Sequence, residues 1–253
     1  MDKYIFCLED NLKTMTRQQF RDFILREATP AVMKHNPANC KVTISAVQQP
    51  SITILPLKRN GFAMFSVTGI DREVVFDELK SCLNPGRLLY GYAVHESPYL
   101  LSGRTWNPGS ESPGLILLTM FRKKKNQPRE TFMRIWFGEH SPMSIVIHPL
   151  INYIRNVVTG YITEDTPRVD GIVEEHFGSD RDLLNPVRMF GGVKKALPSM
   201  LRIQRHVSGF IDLSNIRNYI CREYLIKGEL AACNREMRDD DIVTSEPIGI
   251  VNR

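Results

Sequence analysis

The stretch FMRIWFGEHSPMSIVIHP, residues 132–149, decides the fold once it is laid beside FRDFILREATPAVMKHNP, residues 20–37. A constant offset of 112 positions carries Phe20 onto Phe132, Phe23 onto Ile135, Glu27 onto Glu139, Pro30 onto Pro142 and Pro37 onto Pro149. Self-similarity at a fixed offset is the mark of a repeated structural unit. The same offset moves Ile5–Leu8 onto Leu117–Met120 and Lys41–Ala46 onto Tyr153–Val158. An offset of 110 then moves Gly61–Val67 onto Gly171–Phe177, as a two-residue deletion in the loop between them requires.

Outward from these two helices, each copy reads in the same order. The first copy predicts a strand over 4–8, a helix from Thr16 to about Lys34, strands over 41–48 and 61–68, a helix over 72–83 and a strand over 88–95. Thr16 and Gln19, three residues apart, form a capping-box pair that starts the first helix. The second copy predicts a strand over 115–121, a helix over 129–148, strands over 153–162 and 171–177, one or two helices within 181–207 and a strand over 219–226. This is βαββαβ twice, the ferredoxin-like order, in an α+β protein. The chain divides into a first repeat at 1–96, a linker at 97–113 rich in proline and serine, a second repeat at 114–228 and a C-terminal arm at 229–253. A sheet covered by helices on one face leaves the other face in need of a partner. Two copies in one chain supply it, so the open faces are expected to pack into an intrachain α+β barrel with a lumen between them.

Bulk properties exclude several classes of function. With 253 residues and 42% hydrophobic content, the chain can bury two small cores. The net charge is +5, but the one basic cluster, Arg122–Lys125, directly follows a strand, where a solvated turn places charge in any case. No aromatic pair sits on the strands where a nucleic-acid-binding sheet would stack bases, so no nucleic-acid partner is expected. The start of the chain lacks a basic region followed by an apolar run, and no window approaches the ~18 apolar residues of a membrane helix. The protein is therefore expected to be cytoplasmic, with no membrane partner. Five widely spaced cysteines form no C-x-x-C pair and read as free thiols, and no mixed Cys/His spacing suggests a metal.

The helix from Arg129 puts Phe132, Ile135, Trp136, Met143 and Ile147 on one apolar stripe, and His140 lies on it. Its imidazole is expected to face the interior, either as a working acid or base or as a core histidine satisfied by a backbone carbonyl. Pro142 removes a helical donor and clashes with the carbonyl of Gly138, so a kink or opened turn is expected at Gly138–Pro142. Pro30 stands at the same place in the first copy, which allows a purely structural bend. On the strand at 171–177, Glu174 and His176 share one face, expected to be the lumen; the opposite register would place Glu175 there instead. His148 sits at the helix end, where a protonated imidazole meets the dipole favourably. Tyr153 and Tyr161 could offer phenol donors or be ordinary sheet residues. Asp170 and Gly171 read as a turn into the strand.

The pattern Phe132-x-x-x-Trp136-x-x-x-His140-x-Pro142, followed by Asp170-Gly171-Ile172-Val173-Glu174, resembles the EthD family of dimeric α+β barrel proteins. In the first copy Ile24 stands for the tryptophan and Ala28 for the histidine, so that half resembles a degenerate repeat. The resemblance implies a small apolar cavity with a few polar groups; relatives include ether-degradation proteins, polyketide cyclases and decarboxylases, cofactor-free monooxygenases and haem enzymes. The expected function is binding of a small, mostly apolar molecule, aromatic or polyketide-derived, in the second copy. Any chemistry would be proton transfer in a lyase, cyclase or isomerase. His140 would be its acid or base, His176 or a tyrosine would polarise the substrate, and Trp136, Glu174 and Tyr153 would line the site. The alternatives are a non-catalytic carrier or assembly module, and a haem protein with His140 or His176 as axial ligand. No other cofactor is expected, and homodimerisation through other surfaces stays open.

Overall fold

The computed structural model describes residues 2–50, 53, 55–84, 86–102 and 106–228. The first half runs β1 (Lys3–Asp10), α1 (Arg17–Phe23), a π-helical turn (Ile24–Ala28), α2 (Thr29–Met33), β2 (Asn39–Ser45), β3 (Gly61–Thr68), α3 (Arg72–Ser81) and β4 (Leu88–Leu100). The second half runs β5 (Leu115–Phe121), α4 (Arg129–Ile135), a π-helical turn (Trp136–His140), α5 (Ser141–Ile147), β6 (Leu150–Tyr161), β7 (Gly171–Phe177), α6 (Asp180–Leu184), α7 (Pro186–Met189), α8 (Ala196–Phe210) and β8 (Arg217–Lys227). The first helix starts where the capping box puts it: Gln19 N–H donates to Thr16 Oγ1 at 3.2 Å, and Thr16 N–H donates to Gln19 Oε1 at 2.8 Å.

The eight strands close into one antiparallel barrel in the order β1-β3-β2-β8-β5-β7-β6-β4. Within each half the strands lie fourth, first, third, second. The second strand of each half pairs with the fourth strand of the other, β2 with β8 and β6 with β4. The halves are thus joined edge to edge, which leaves no free sheet edge to template further pairing. Cross-half pairing also lengthens the seam strands. β4 continues past its expected end at His95 to Leu100, where it meets Tyr153 of β6, and so takes in the first residues of the expected linker at 97–113.

Part of the lumen that was expected to hold ligand is filled by side chains. Ile5, Phe62, Met64, Leu118, Ile172 and Tyr219 are buried against one another there, with Phe62 stacked on Tyr219 at 3.9 Å between ring centroids. Helices cover the outer faces of both halves.

The kink expected around Pro142 is a π turn. Pro142 brings no N–H, and a regular helix would press its ring onto the carbonyl of Gly138. Widening by one residue relieves this: Ser141 N–H donates to Trp136 O, and Ser141 Oγ donates to the same carbonyl at 2.8 Å. Thr29 does the same to Ile24 O ahead of Pro30, its Oγ1 also at 2.8 Å. Because the half without the histidine has the same turn, the turn is a packing device of the fold and not a mark of the site.

Gly171 opens β7 beside the Trp136 indole, and a Cβ there would come within 2.5 Å of Trp136 Cη2. Asp170 holds the turn as expected, its Oδ2 accepting from Lys123 N–H at 2.9 Å. Cys7, Cys40, Cys82 and Cys221 are free thiols; Cys233 and the expected arm at 229–253 lie outside the described residues. Among the described residues no helix is long and apolar enough to cross a membrane.

Candidate functional site

A cavity of about 370 Å³ lies between the outer face of the second half's sheet and the helices α5 and α8. That size suits a small organic ligand. Its walls are largely apolar, with Phe121, Leu117 and Val173 from the sheet, Trp136 from the π turn, and Ile203 and Val207 from α8. The polar groups that reach it include His140, Ser144, His148, Tyr153 and Glu175.

Period-2 alternation splits the expected site residues between two places. All seven residues of β7 are buried. Val173 and Phe177 pack outward under the helices, Ile172 packs inward, and Glu174 and His176 follow Ile172 into the lumen. Trp136, His140 and Tyr153 therefore share the cavity, whereas Glu174 and His176 lie across the sheet from it. The structure thus sets His140 in the cavity and His176 with Glu174 and Glu223 on the other face of the sheet. The residue that does share the cavity is Glu175, which the favoured reading of the strand had not assigned to the site.

Glu175 stands between Tyr153 on β6 and Leu117 on β5, in register with both. Among the described residues no hydrogen bond or ion pair reaches its carboxyl group. Burial pushes it up to about 7. A carboxylate facing apolar walls without a cation lacks the stabilisation that keeps ordinary glutamates acidic. Burial likewise raises the neighbouring Tyr153 phenol, keeping it protonated as a donor.

His140 stacks on His206 from α8, with ring centroids 5.4 Å apart and planes 18° from parallel, and tilts against Phe210 at 5.2 Å. Its Nε2 faces Ser144 Oγ at 3.5 Å, and its Nδ1 is buried without a partner. Burial, then the neighbouring His206 and His148, push it down to about 3, so it is neutral at neutral pH. His148 differs from its expected role as a charged helix cap. Its Nδ1–H donates to Met189 O at 2.8 Å, and burial lowers its titration, so it is a neutral, structural imidazole in the cavity wall.

The depressed His140 fixes a sign. The unfolded chain takes up its proton near the ordinary value of 6.5 and the folded chain only near 3. The stability contributed by a neutral His140 is therefore complete above about pH 6.5 and is lost as pH falls toward 3. Urea unfolding at stepped pH should show the native protein losing stability between pH 6.5 and 4 more steeply than His140→Phe. Parallel curves would mean that His140 is not held neutral.

Haem does not fit this donor set. Among the described residues no lysine or arginine lines the cavity to receive propionates. The Nδ1 of His140 has no carbonyl or carboxylate to orient it, as an axial histidine requires. His176 is buried on the other face of the sheet, between Glu174 and Glu223.

No family model matches the chain, and no curated protein matches it. Solved structures do resemble it. An anthrone oxidase-like protein is 11% identical at a TM-score of 0.54, covering 92% of this chain and 96% of its own. A candidate monooxygenase from Lactobacillus acidophilus NCFM is 7% identical at a TM-score of 0.50, covering 90% and 99%. Another candidate monooxygenase, from Fusobacterium nucleatum subsp. nucleatum, is 7% identical at a TM-score of 0.50, covering 90% and 96%. The likeness is one of fold. This chain has the dimeric α+β barrel architecture, closed here within a single chain.

Proposed function

We propose that the protein binds a small, mostly apolar, planar molecule in the cavity beneath α5 and α8 and moves a proton on it. Glu175 is the base, and neutral His140 and the Tyr153 phenol are the hydrogen-bond donors to the oxygen on which charge develops. The single observation that carries this reading is the unpaired carboxyl group of Glu175, opening into an aromatic-walled cavity that also holds two neutral donors. Structural sites pair their buried acids; a site that must take up and return a proton leaves one free. The reaction class is proton abstraction from carbon conjugated with a carbonyl, as in an isomerase, cyclase or lyase step: a C–H bond breaks, its proton goes to Glu175, and the electron pair is delocalised onto the carbonyl oxygen as an enolate. The EthD-like motif supports the same place, since its tryptophan and histidine both face the cavity. We read the halves as copies of one ancestral unit, the first of which kept the π turn and lost the polar groups.

Anthrone is a suitable first probe, a planar aromatic ketone with an acidic methylene and mostly apolar surface. In deuterated buffer without oxygen, the protein should speed deuterium entry into that methylene above the buffer rate, and His140→Ala should slow it while the fold persists. Binding without exchange would leave a carrier and sink the proton-transfer reading.

A further inference from the structure

On the opposite face of β7, at one end of the lumen, Glu174, His176 and Glu223 bring one ligand atom each within 4.8 Å of one another. His176 Nε2 is 3.9 Å from Glu174 Oε2 and 3.8 Å from Glu223 Oε2. It forms no hydrogen bond, although the residue is only 4% exposed. Thr43 Oγ1 and Ser66 Oγ are also buried without partners. They alternate with Val42, Ile44, Phe65 and Val67 of the outer core, which turns them to the same lumen. Buried polar atoms in native folds are nearly always satisfied, so three orphans near two buried carboxylates call for an occupant.

The charges lean the same way. Three carboxylates, Glu96, Glu174 and Glu223, face two amine groups, Lys3 and Lys41. Lys3 is held by Glu96 and by Asn156 Oδ1 at 2.9 Å, which leaves Lys41 to serve both remaining acids, at 2.5 Å to Glu174 and 3.5 Å to Glu223. Lys41 is a long side chain, 13% exposed, whose flexible stem can carry its ammonium toward solvent.

We propose that Glu174, His176 and Glu223 form a site for a borderline first-row divalent cation such as zinc, and that the Lys41 ammonium occupies it when the metal is absent. Imidazole nitrogen with two carboxylates is a donor set that such ions accept. A cation at about 2.0–2.2 Å from each donor holds them ~3.4 Å apart in tetrahedral geometry, about half an ångström closer than His176 Nε2 stands to either carboxylate here. The site has a structural consequence. Glu174 and His176 come from β7 and Glu223 from β8, the strands flanking β5, and β8 is the strand that pairs with β2. A bound ion would tie β7 to β8 across β5, beside the seam that β8 makes with β2.

The test is calorimetric titration of the chelator-stripped full chain with Zn²⁺ near neutral pH. One zinc per chain is expected, weakened more than about tenfold in both Glu223→Gln and His176→Ala. Lys41→Met removes the internal competitor and should tighten binding by about tenfold or more. Absence of stoichiometric binding overturns the proposal. So does zinc affinity that survives Glu223→Gln, which would place the ion elsewhere, as at His140 and His206. If circular dichroism shows that Glu223→Gln fails to fold, Lys41→Met decides: affinity that is unchanged or weaker rejects the site.

Discussion

Glu175→Gln is expected to lower the rate of deuterium entry into anthrone by about 10²–10⁴-fold while changing its binding little. Glutamine keeps the shape and the hydrogen-bonding capacity of the side chain and removes only the group that accepts the proton. Because among the described residues no ion pair depends on Glu175, its loss strands no buried cation there, and the folded state should persist. Neutralising a carboxyl group already raised to about 7 by burial should, if anything, stabilise the fold at alkaline pH, where the charged form is the costly one. Exchange measured on variant and native protein at matched saturation checks this. An equal rate in Glu175→Gln would remove Glu175 from the chemistry.

Trp136→Ala should cost about 3–5 kcal/mol in stability, among the largest losses available from one side chain here. The indole is fully buried and packs edge-on against Phe121 at 5.0 Å and Phe137 at 5.2 Å, and tilted against Phe132 at 5.5 Å. It also fills the space that Gly171 leaves by having no Cβ, so truncation leaves a void that neither the strand nor the π turn can close. Urea unfolding monitored by circular dichroism reads the loss directly. A loss below about 1 kcal/mol would show that the indole packs loosely and serves the ligand alone.

The strands at 61–68, 115–121 and 171–177 were legible to the residue: the first two are largely apolar runs bounded by glycine or turn residues, and the third was found through its repeat offset and its opening Asp170-Gly171 turn. The capping box at Thr16 likewise placed the first helix start. Less was legible where local signals compete with tertiary pairing. β4 outran its expected end because the other half of the barrel supplied it with a partner, which its own sequence does not encode. Pro142 announced a disturbance, but a kink and a π turn have the same sequence signature; Ser141 and Thr29, which bond back to the carbonyl five residues earlier, were the available clue. The site was half legible. Trp136 and His140 could be placed on a buried stripe, but β7 is buried on both faces and carries an acid on each, so alternation alone could not say whether Glu174 or Glu175 faces a cavity. Which side of the sheet holds free space depends on how well the lumen packs, and that is decided by side chains from all eight strands together.

Ligand is expected to enter beneath α8 and not the lumen, and titration with a neutral, environment-sensitive naphthylamine dye tests this most directly. Energy transfer from Trp136, in a Trp106→Phe background, should rise to saturation at one dye per chain. Val207→Trp, which fills the cavity from α8 without touching the lumen, should abolish the dye's own fluorescence enhancement. Undiminished dye binding in Val207→Trp would contradict the assignment of this cavity as the site.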